Sequence, residues 1–181
     1  ADLLRRSSAV VQIADDFQPY LEAAGVTCPV TTIANWAPIE ELPVRPRDND
    51  WARATGTVGR FTLLYAGTLG RKHPPDLLVD LAQRFAHRSD VLLVVVNSGR
   101  EAGYLRSEAD RKRLVNLIVV PFVSWDIVPD MMGAADVLLT LLGSDASRYS
   151  VPSKVLSQMC AKRALLAALD PASSLCEQLE S

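Results

Sequence analysis

The sequence contains few cysteines, and their arrangement excludes two kinds of site. Cys28, Cys160 and Cys176 are scattered along 181 residues and show no metal-ligand spacing. An odd number of scattered cysteines does not suit a disulfide framework either. The pattern favours a reducing, cytoplasmic compartment and predicts that all three thiols are core residues.

Long apolar runs and blocks of like charge are also absent. The longest apolar runs, such as Val91 to Val96, are far shorter than the roughly 20 residues that a transmembrane helix needs. No signal peptide is recognisable. The formal net charge is −2, so neither nucleic acid nor an anionic membrane is expected as the main partner. With 49% hydrophobic residues, the chain should form one complete globular domain and part of another.

Residues typical of hydrolytic and metal-dependent sites are scarce. His73 and His87 are the only histidines, and no Ser-His-Asp, paired-carboxylate or zinc arrangement is visible. His73 lies beside a glycine-containing loop where it could contact phosphate, but an exposed or capping role is more common for such a residue. Asp136 directly precedes an apolar run, and we expect it to orient the strand that follows.

Apolar runs alternate with helical patterns from Phe61 onward. Runs that are apolar throughout are typical of a parallel sheet covered by helices on both faces. The first helix, at about 75–86, is expected to bury Leu77, Leu78, Leu81 and Phe85 on one face. The predicted fold class is therefore α/β, a doubly wound parallel Rossmann-like sheet with strand order 3-2-1-4-5. Its strands are predicted at Phe61 to Ala66, Val91 to Val96, Leu117 to Val120, Val137 to Leu142 and Ala164 to Ala168.

The first fifty residues follow a different pattern. Two short strand-like runs, Ala9 to Ile13 and Val30 to Ile33, flank a helical segment, and the polar stretch from Glu40 to Asp50 is the best linker candidate. We therefore predict that residues 1–50 are the end of one domain with its linker, and that residues 51–181 form the Rossmann-like domain. The start without methionine and the abrupt end indicate a fragment of a longer protein, truncated within its second domain.

Two loops at the carboxyl edge of the predicted sheet have the composition of an anion site. After the first strand, Gly67 and Gly70 allow close backbone approach, and Arg71 and Lys72 supply adjacent cations. After the fourth strand, Pro152-Ser153-Lys154 begins a helix whose free N–H groups point forward. A lysine at a helix N-terminus opposes the helix dipole unless an anion lies between them. We therefore predict a diphosphate site.

A third loop at that edge, Pro121-Phe122-Val123-Ser124, offers an apolar wall and backbone groups of the kind that hold a planar base. Simpler alternatives stay open for each loop. Phe122 could be a core residue, the glycine loop an ordinary turn with solvated bases, and Lys154 a solvated side chain on an ordinary helix start.

Taken together, these segments resemble the C-terminal half of a family-four retaining glycosyltransferase of GT-B fold, close to colanic-acid-type exopolysaccharide enzymes. The stretch from Ala9 to Pro38, with Asn35-Trp36 near its end, is similar to the end of that family's N-terminal domain. The resemblance covers nearly the whole chain. It is carried by Gly67 to Lys72, Pro121 to Val123, Ile127 to Asp136, Val151 to Leu156 and Cys160 to Arg163.

The resemblance implies a nucleotide-diphosphate sugar donor and no metal ion or other cofactor. It implies that a saccharide or lipid-linked saccharide acceptor binds to the other, missing domain, in exopolysaccharide or cell-surface glycan synthesis. The full-length protein would be cytoplasmic, either free or peripheral at the inner membrane face, and the fragment alone inactive. Lys72 would contact the diphosphate. The full predicted diphosphate set is Gly67, Thr68, Gly70, Arg71, Lys72, Pro152, Ser153 and Lys154, and the base and ribose set is Phe122, Val123 and Ser157.

Some positions depart from the family pattern. Thr68 stands where relatives have a basic residue, and Tyr149 and Ser157 stand where many have two glutamates, one near the sugar and one on the ribose. Ser157 can bond a ribose hydroxyl, but without the charge assistance of a carboxylate. Two alternatives therefore stay open: a nucleotide-sugar epimerase of the same fold, and a non-catalytic nucleotide-binding or scaffolding half-domain.

Overall fold

The structure is a computed structural model that describes residues 2–70, 73–142 and 153–168. Its helices and strands follow one another along the chain, with short 3-10 helices at Asp15–Phe17, Ile39–Glu41 and Trp125–Ile127. The helices are α1 (Asp2–Arg5), α2 (Gln18–Ala23), α3 (Asp50–Thr55), α4 (Asp76–Arg84), α5 (Arg100–Lys112), α6 (Val128–Gly133) and α7 (Ser153–Cys160). The strands are β1 (Val10–Gln12), β2 (Val30–Thr32), β3 (Phe61–Ala66), β4 (Val91–Val96), β5 (Leu117–Val120), β6 (Val137–Leu141) and β7 (Ala164–Ala168).

The main sheet has five parallel strands in the order β5-β4-β3-β6-β7. The predicted fold class, strand positions and 3-2-1-4-5 order are confirmed, except that β6 ends one residue earlier than expected. Because the order reverses between β3 and β6, the loops that follow these two strands meet at the switch point of the sheet.

Apolar residues on both faces of the sheet explain why helices cover it on two sides. On one face, Leu63 and Leu93 pack with residues of α4 and α5; on the other, Leu64 and Leu92 pack with α6 and with Ala161, which follows α7. All six residues of β4 are buried, as expected for a central parallel strand.

The predicted buried face of α4 was partly wrong. Leu78 is fully buried, but Leu77 is 46% exposed, and Val79 and Ala82 complete the buried face instead. Leu81 and Phe85 are only partly buried against that core. The side of α4 that faces the core is therefore centred on Leu78, Val79 and Ala82 instead of including Leu77.

A separate two-stranded parallel sheet lies near the start of the chain. β1 pairs with β2 through Val10 with Val30 to Gln12 with Thr32, and α2 connects the two strands. The buried Gln12 side chain donates to the hydroxyl of Thr32, which donates in turn to Asp15. These bonds hold the crossover between two very short strands.

The polar stretch predicted as a linker is packed against the five-stranded sheet domain. Leu42 is 2% exposed and belongs to the same core cluster as Leu64. The Asn49 side chain caps α3 by accepting from the Ala52 N–H, and it donates to the carbonyl of Asp130. This packing fixes the course of the chain between Trp36 and α3, while the domain boundary near residue 50 stays a prediction.

Candidate functional site

A cavity of about 510 Å³ opens at the carboxyl edge of the main sheet, at the switch point. Ligand sites of open α/β sheets lie at this place, and the volume is within the usual range for small-molecule sites. The lining residues are Trp36, Pro38, Leu64, Ala66, Gly67, Val96, Phe122, Val123, Trp125, Val128, Met131, Met132, Leu138, Ser153, Lys154, Ser157 and Gln158.

Lys154 is the cation of this cavity. Its ammonium lies 4.6 Å from the centre of the Tyr65 ring and donates a hydrogen bond to the Tyr65 hydroxyl at 3.2 Å. No carboxylate among residues 2–70, 73–142 and 153–168 forms an ion pair with it. Burial lowers the pKa of Lys154, because desolvation disfavours the charged form. An anionic ligand would supply the countercharge that the described residues do not.

Tyr65 links Lys154 to the glycine-containing loop after β3. The side chain is fully buried in the core, and its hydroxyl donates to the carbonyl of Thr68 at 2.8 Å. Burial raises the pKa of the Tyr65 hydroxyl, so it stays protonated and can both donate to Thr68 and accept from Lys154. One buried side chain therefore sets the position of both the lysine and the loop.

Gly67 is required where the loop passes Lys154. Its φ is +145°, a conformation that side chains rarely adopt, and a Cβ there would lie 2.8 Å from the Lys154 ammonium. The Gly67 carbonyl accepts from the Asn97 side chain at 2.8 Å, which ties the loop to the end of β4. A side chain at this position would therefore require the Lys154 ammonium to shift.

Buried hydrogen bonds fix helix α7, which carries Ser153, Lys154 and Ser157. Gln158 is 4% exposed, donates to the carbonyl of Leu139 at 3.1 Å and accepts from the Thr140 hydroxyl at 2.6 Å. Because both partners lie on β6, these bonds fix α7 against that strand, which is the neighbour of β3 in the sheet. The helix thus presents three side chains of the predicted site to one cavity.

Three aromatic side chains line the cavity while remaining substantially exposed. Trp36, Phe122 and Trp125 are 78%, 48% and 50% exposed, respectively. The Trp125 indole N–H donates to the Glu41 carboxylate at 2.7 Å, which orients the ring. These residues give the site flat apolar surfaces in addition to its cation.

The predicted site residues fall into three groups. Gly67, Phe122, Val123, Ser153, Lys154 and Ser157 line the cavity together. Thr68 contributes its carbonyl to the Tyr65 bond but does not line the cavity, and Gly70 forms an isolated antiparallel bridge with His73. Arg71, Lys72, Pro152 and Tyr149 lie outside the described residues. His73 is half-buried and its Nδ1 bonds the Leu141 carbonyl, which is a structural contact.

Sequence reasoning missed Tyr65, Trp125 and Gln158 and noted Trp36 only as part of a family motif. A tyrosine near the end of the buried strand β3, shortly before a basic loop, was a usable signal for a polar link. Trp125 gave no such signal, because its neighbourhood depends on Glu41, 84 residues earlier.

The described part of the chain offers neither a cluster of metal ligands nor a helix that could span a membrane. Residues 2–70, 73–142 and 153–168 contain no group of three or more His, Cys, Asp or Glu side chains that could hold a metal ion. Within the same ranges, no helix has the length and apolar character needed to cross a bilayer.

No family model matches the chain, and no curated protein matches it in sequence. Solved structures do match. HepE from Anabaena, in complex with UDP-glucose, matches at a TM-score of 0.76 and 19% identity, over 97% of this chain and 48% of that one. Sucrose-phosphate synthase from Thermosynechococcus elongatus matches at 0.68 and 14% identity, over 94% and 43% of the two chains. TarM from S. aureus matches at 0.67 and 12% identity, over 91% and 30%.

The chain has the fold of half a GT-B protein. It spans about half the length, or less, of the solved structures it matches. At identities below 20% the likeness establishes the GT-B fold, and the predicted Rossmann-like architecture is confirmed by it. The chemistry of the chain has to be inferred from its own cavity.

Proposed function

We propose that the chain is the donor-binding half of a glycosyltransferase and that its cavity binds the diphosphate of a nucleotide sugar. The observation that carries the proposal is Lys154, a partly buried cation at the sheet's switch point that has no carboxylate partner in the described part of the chain. A charge kept in such a place is costly unless a ligand of opposite charge compensates it.

The geometry suits the departure of a nucleoside diphosphate. As the sugar leaves, negative charge builds on the bridging oxygen, and groups fixed in advance stabilise it best. Lys154 is held by Tyr65, and Ser153 lies at the start of α7, where backbone N–H groups are free. Arg71, Lys72 and Pro152 are proposed to complete this set, with Gly67, Thr68 and Gly70 shaping the loop that approaches the phosphates.

The comparisons support this choice of ligand. HepE was solved with UDP-glucose and with UDP and glucose, and the pneumococcal O-GlcNAc transferase GtfA with UDP and GlcNAc. The same half of the fold is therefore found in proteins that bind uridine nucleotides. For this chain, a nucleotide sugar fits a cavity that combines one cation with flat apolar walls.

The reaction type, the acceptor and the biosynthetic role are proposed from the resemblance to the family. We propose a retaining, metal-independent transfer, with a saccharide or lipid-linked acceptor held by the other half of a longer protein, in exopolysaccharide or cell-surface glycan synthesis. Ser157, which lines the cavity, is proposed to bond a ribose hydroxyl. Because acceptor positioning can supply roughly 7 to 11 kcal/mol of barrier lowering, the chain by itself is expected to bind donor without transferring sugar.

Calorimetric titration of the chain with UDP, GDP and ADP and their glucose conjugates tests the proposal. At least one nucleoside diphosphate should bind, and inorganic pyrophosphate should compete for the same site. A transfer assay with labelled donor and soluble or lipid-linked acceptors should show background turnover only. If no nucleotide binds and pyrophosphate does not bind either, the cavity is not a donor site.

A further inference from the structure

Two of the three tryptophans of the chain line one cavity, although they come from distant parts of the sequence. Trp125 lies in the segment after β5, within the five-stranded sheet domain, whereas Trp36 precedes the predicted domain boundary. Both are at least half exposed. Large indole surfaces left open to solvent inside a cavity are typical of surfaces that bind a ligand.

Trp36 belongs to a short segment, residues 36–42, that we call the arm. Leu42 anchors the arm, because it is 2% exposed and packs in the core cluster of Leu64, Met131 and Met132. The 3-10 helix Ile39–Glu41 gives the arm a defined backbone, with the Glu41 N–H bonded to the Pro38 carbonyl. The arm is therefore a structured segment that is fixed on the surface of the sheet domain.

The arm also orients the second tryptophan. The Glu41 carboxylate accepts from the Trp125 indole N–H at 2.7 Å. This bond is made at the edge of the indole and restricts the rotation of the ring, while Trp125 remains 50% exposed. The arm thus supplies one flat wall of the cavity directly and fixes another through Glu41.

The chemistry of these walls points to a planar ring. Aromatic side chains stack on nucleobases with little dependence on sequence, because every base has a π-face. The same cavity holds Lys154, so a ligand with an anionic end and a planar apolar end matches it at both ends. A diphosphate alone would leave the tryptophans unused.

We propose that Trp36 and Trp125 hold the base of the nucleotide whose phosphates Lys154 binds, so that the arm makes nucleotide affinity depend on residues outside the sheet. The inference rests on the proposed function, since it takes the ligand to be a nucleoside diphosphate. It adds the part of the ligand that the arm recognises and the residues that recognise it.

Calorimetric titrations of the 181-residue chain with UDP and with inorganic pyrophosphate test the inference. Trp36→Ala and Trp125→Ala should each weaken UDP binding by about tenfold, because stacking contributes roughly 1 to 3 kcal/mol per base. Pyrophosphate, which has no base, should bind all variants within about twofold of the parent, since Lys154 is unchanged. Glu41→Ala should weaken UDP binding less than Trp125→Ala, because it frees the ring without removing it.

Trp51→Phe is the matched control, because Trp51 belongs to α3 and does not line the cavity, and a phenylalanine keeps an aromatic ring against the core; both affinities should stay unchanged. If the Trp36 and Trp125 variants lost UDP affinity and pyrophosphate affinity equally, the tryptophans would act through the fold. If their UDP affinity were unchanged, the base would lie elsewhere. A loss seen with UDP-glucose but not with UDP would assign the walls to the sugar instead. Any of these overturns the inference while leaving donor binding intact. Failure of the unsubstituted chain to bind either ligand overturns both proposals.

Discussion

The two edges of the five-stranded sheet each hold a basic side chain, but in opposite electrostatic situations. At the amino edge, the Arg47 guanidinium donates to both oxygens of Asp136, at 3.0 and 2.7 Å, and to the carbonyls of Ala134 and Arg60. At the carboxyl edge, Lys154 has only the neutral Tyr65 hydroxyl and ring as its described partners.

The difference separates a cation that is paired with a carboxylate from one that has no carboxylate partner among the described residues. Asp136 also accepts from the Thr62 N–H at 2.7 Å, so this cluster joins the start of β3 to the start of β6 and to the segment before α3. All three guanidinium nitrogens of Arg47 donate hydrogen bonds within the chain. Among the described residues, Lys154 donates only to the Tyr65 hydroxyl, which is the arrangement expected when the remaining partner is a ligand.

The largest expected effect is the loss of stability on removal of the Arg47–Asp136 ion pair at the amino edge. Arg47→Ala should lower the free energy of unfolding by about 3 kcal/mol, because it leaves a partly buried Asp136 carboxylate and several carbonyls without their donor. Urea unfolding followed by circular dichroism measures this. Arg53→Ala is the control, since that arginine forms exposed ion pairs with Asp48 and Asp50 and its loss should cost only about 0.5 kcal/mol. If both variants lost the same free energy of unfolding, the Arg47–Asp136 cluster would be no more important for stability than an exposed ion pair.

Removal of the Lys154 ammonium should weaken anion binding without lowering the stability of the fold. Lys154→Ala should weaken pyrophosphate binding tenfold to a hundredfold, because a charge-assisted hydrogen bond contributes roughly 1.5 to 3 kcal/mol. Its melting temperature without ligand should not fall, since the change removes a desolvated charge. Lys112→Ala, which changes the same charge on the exposed side of α5, should bind pyrophosphate as the parent does. Equal affinities of the two variants would place the anion site elsewhere.

Tyr65→Phe tests whether the neutral partner positions the lysine. The ring and its packing remain, but the bonds to Lys154 and to the Thr68 carbonyl are lost. We expect pyrophosphate binding to weaken about fivefold, in line with roughly 1 kcal/mol for one hydrogen bond. Tyr104→Phe, which loses an exposed bond to Asp76 outside the cavity, is the matched control. An unchanged affinity in Tyr65→Phe would show that the ring alone holds Lys154.

The smallest expected effects are those of pH: stability should rise with pH at both edges, in the acid range through Asp136 and in the alkaline range through Lys154. Burial opposes ionisation of Asp136, but hydrogen bonds from Arg47 and the Thr62 N–H outweigh it and lower the pKa of the carboxyl. Its contribution to stability is therefore present above about pH 3.9 and is lost as the pH falls through the lowered value. Asp136→Asn should show less loss of stability on acidification than the parent does, and an identical acid profile would argue against this role.

At the other edge, the lowered pKa of Lys154 means that the folded, ligand-free chain binds fewer protons there than the unfolded chain between the two pKa values. Stability should therefore rise slightly with pH in the alkaline range, while pyrophosphate binding should fall as the lysine loses its charge. Lys154→Ala should show neither change. Alkaline titrations of melting temperature and of pyrophosphate affinity measure the two trends, and trends of the same sign would contradict this account.

The sequence by itself determined the sheet and the part of the site that is local in the chain. An uninterrupted apolar run such as β4 is typical of a parallel strand covered by helices on both faces, and the predicted strand order is the one usual for doubly wound sheets. Once the order is known, the ends of β3 and β6 must be neighbours. The approach of Gly67 and Lys154 was therefore predictable from the glycine and from the lysine at a helix start.

The tertiary structure alone decided which residues complete each edge. Tyr65 lies 89 residues from Lys154, and Arg47 lies 89 residues from Asp136, so no local pattern connects either pair. The polar stretch around Arg47 looked like a solvated linker because it is rich in proline and charge, yet its charges meet partners on β3 and next to β6. The arm gained its place in the cavity through one buried leucine, Leu42. The physical reason is common to all three cases. Hydrophobic periodicity specifies which face of a helix or strand is buried. Contacts between residues that are far apart in the sequence depend instead on where the packed helices and strands bring them.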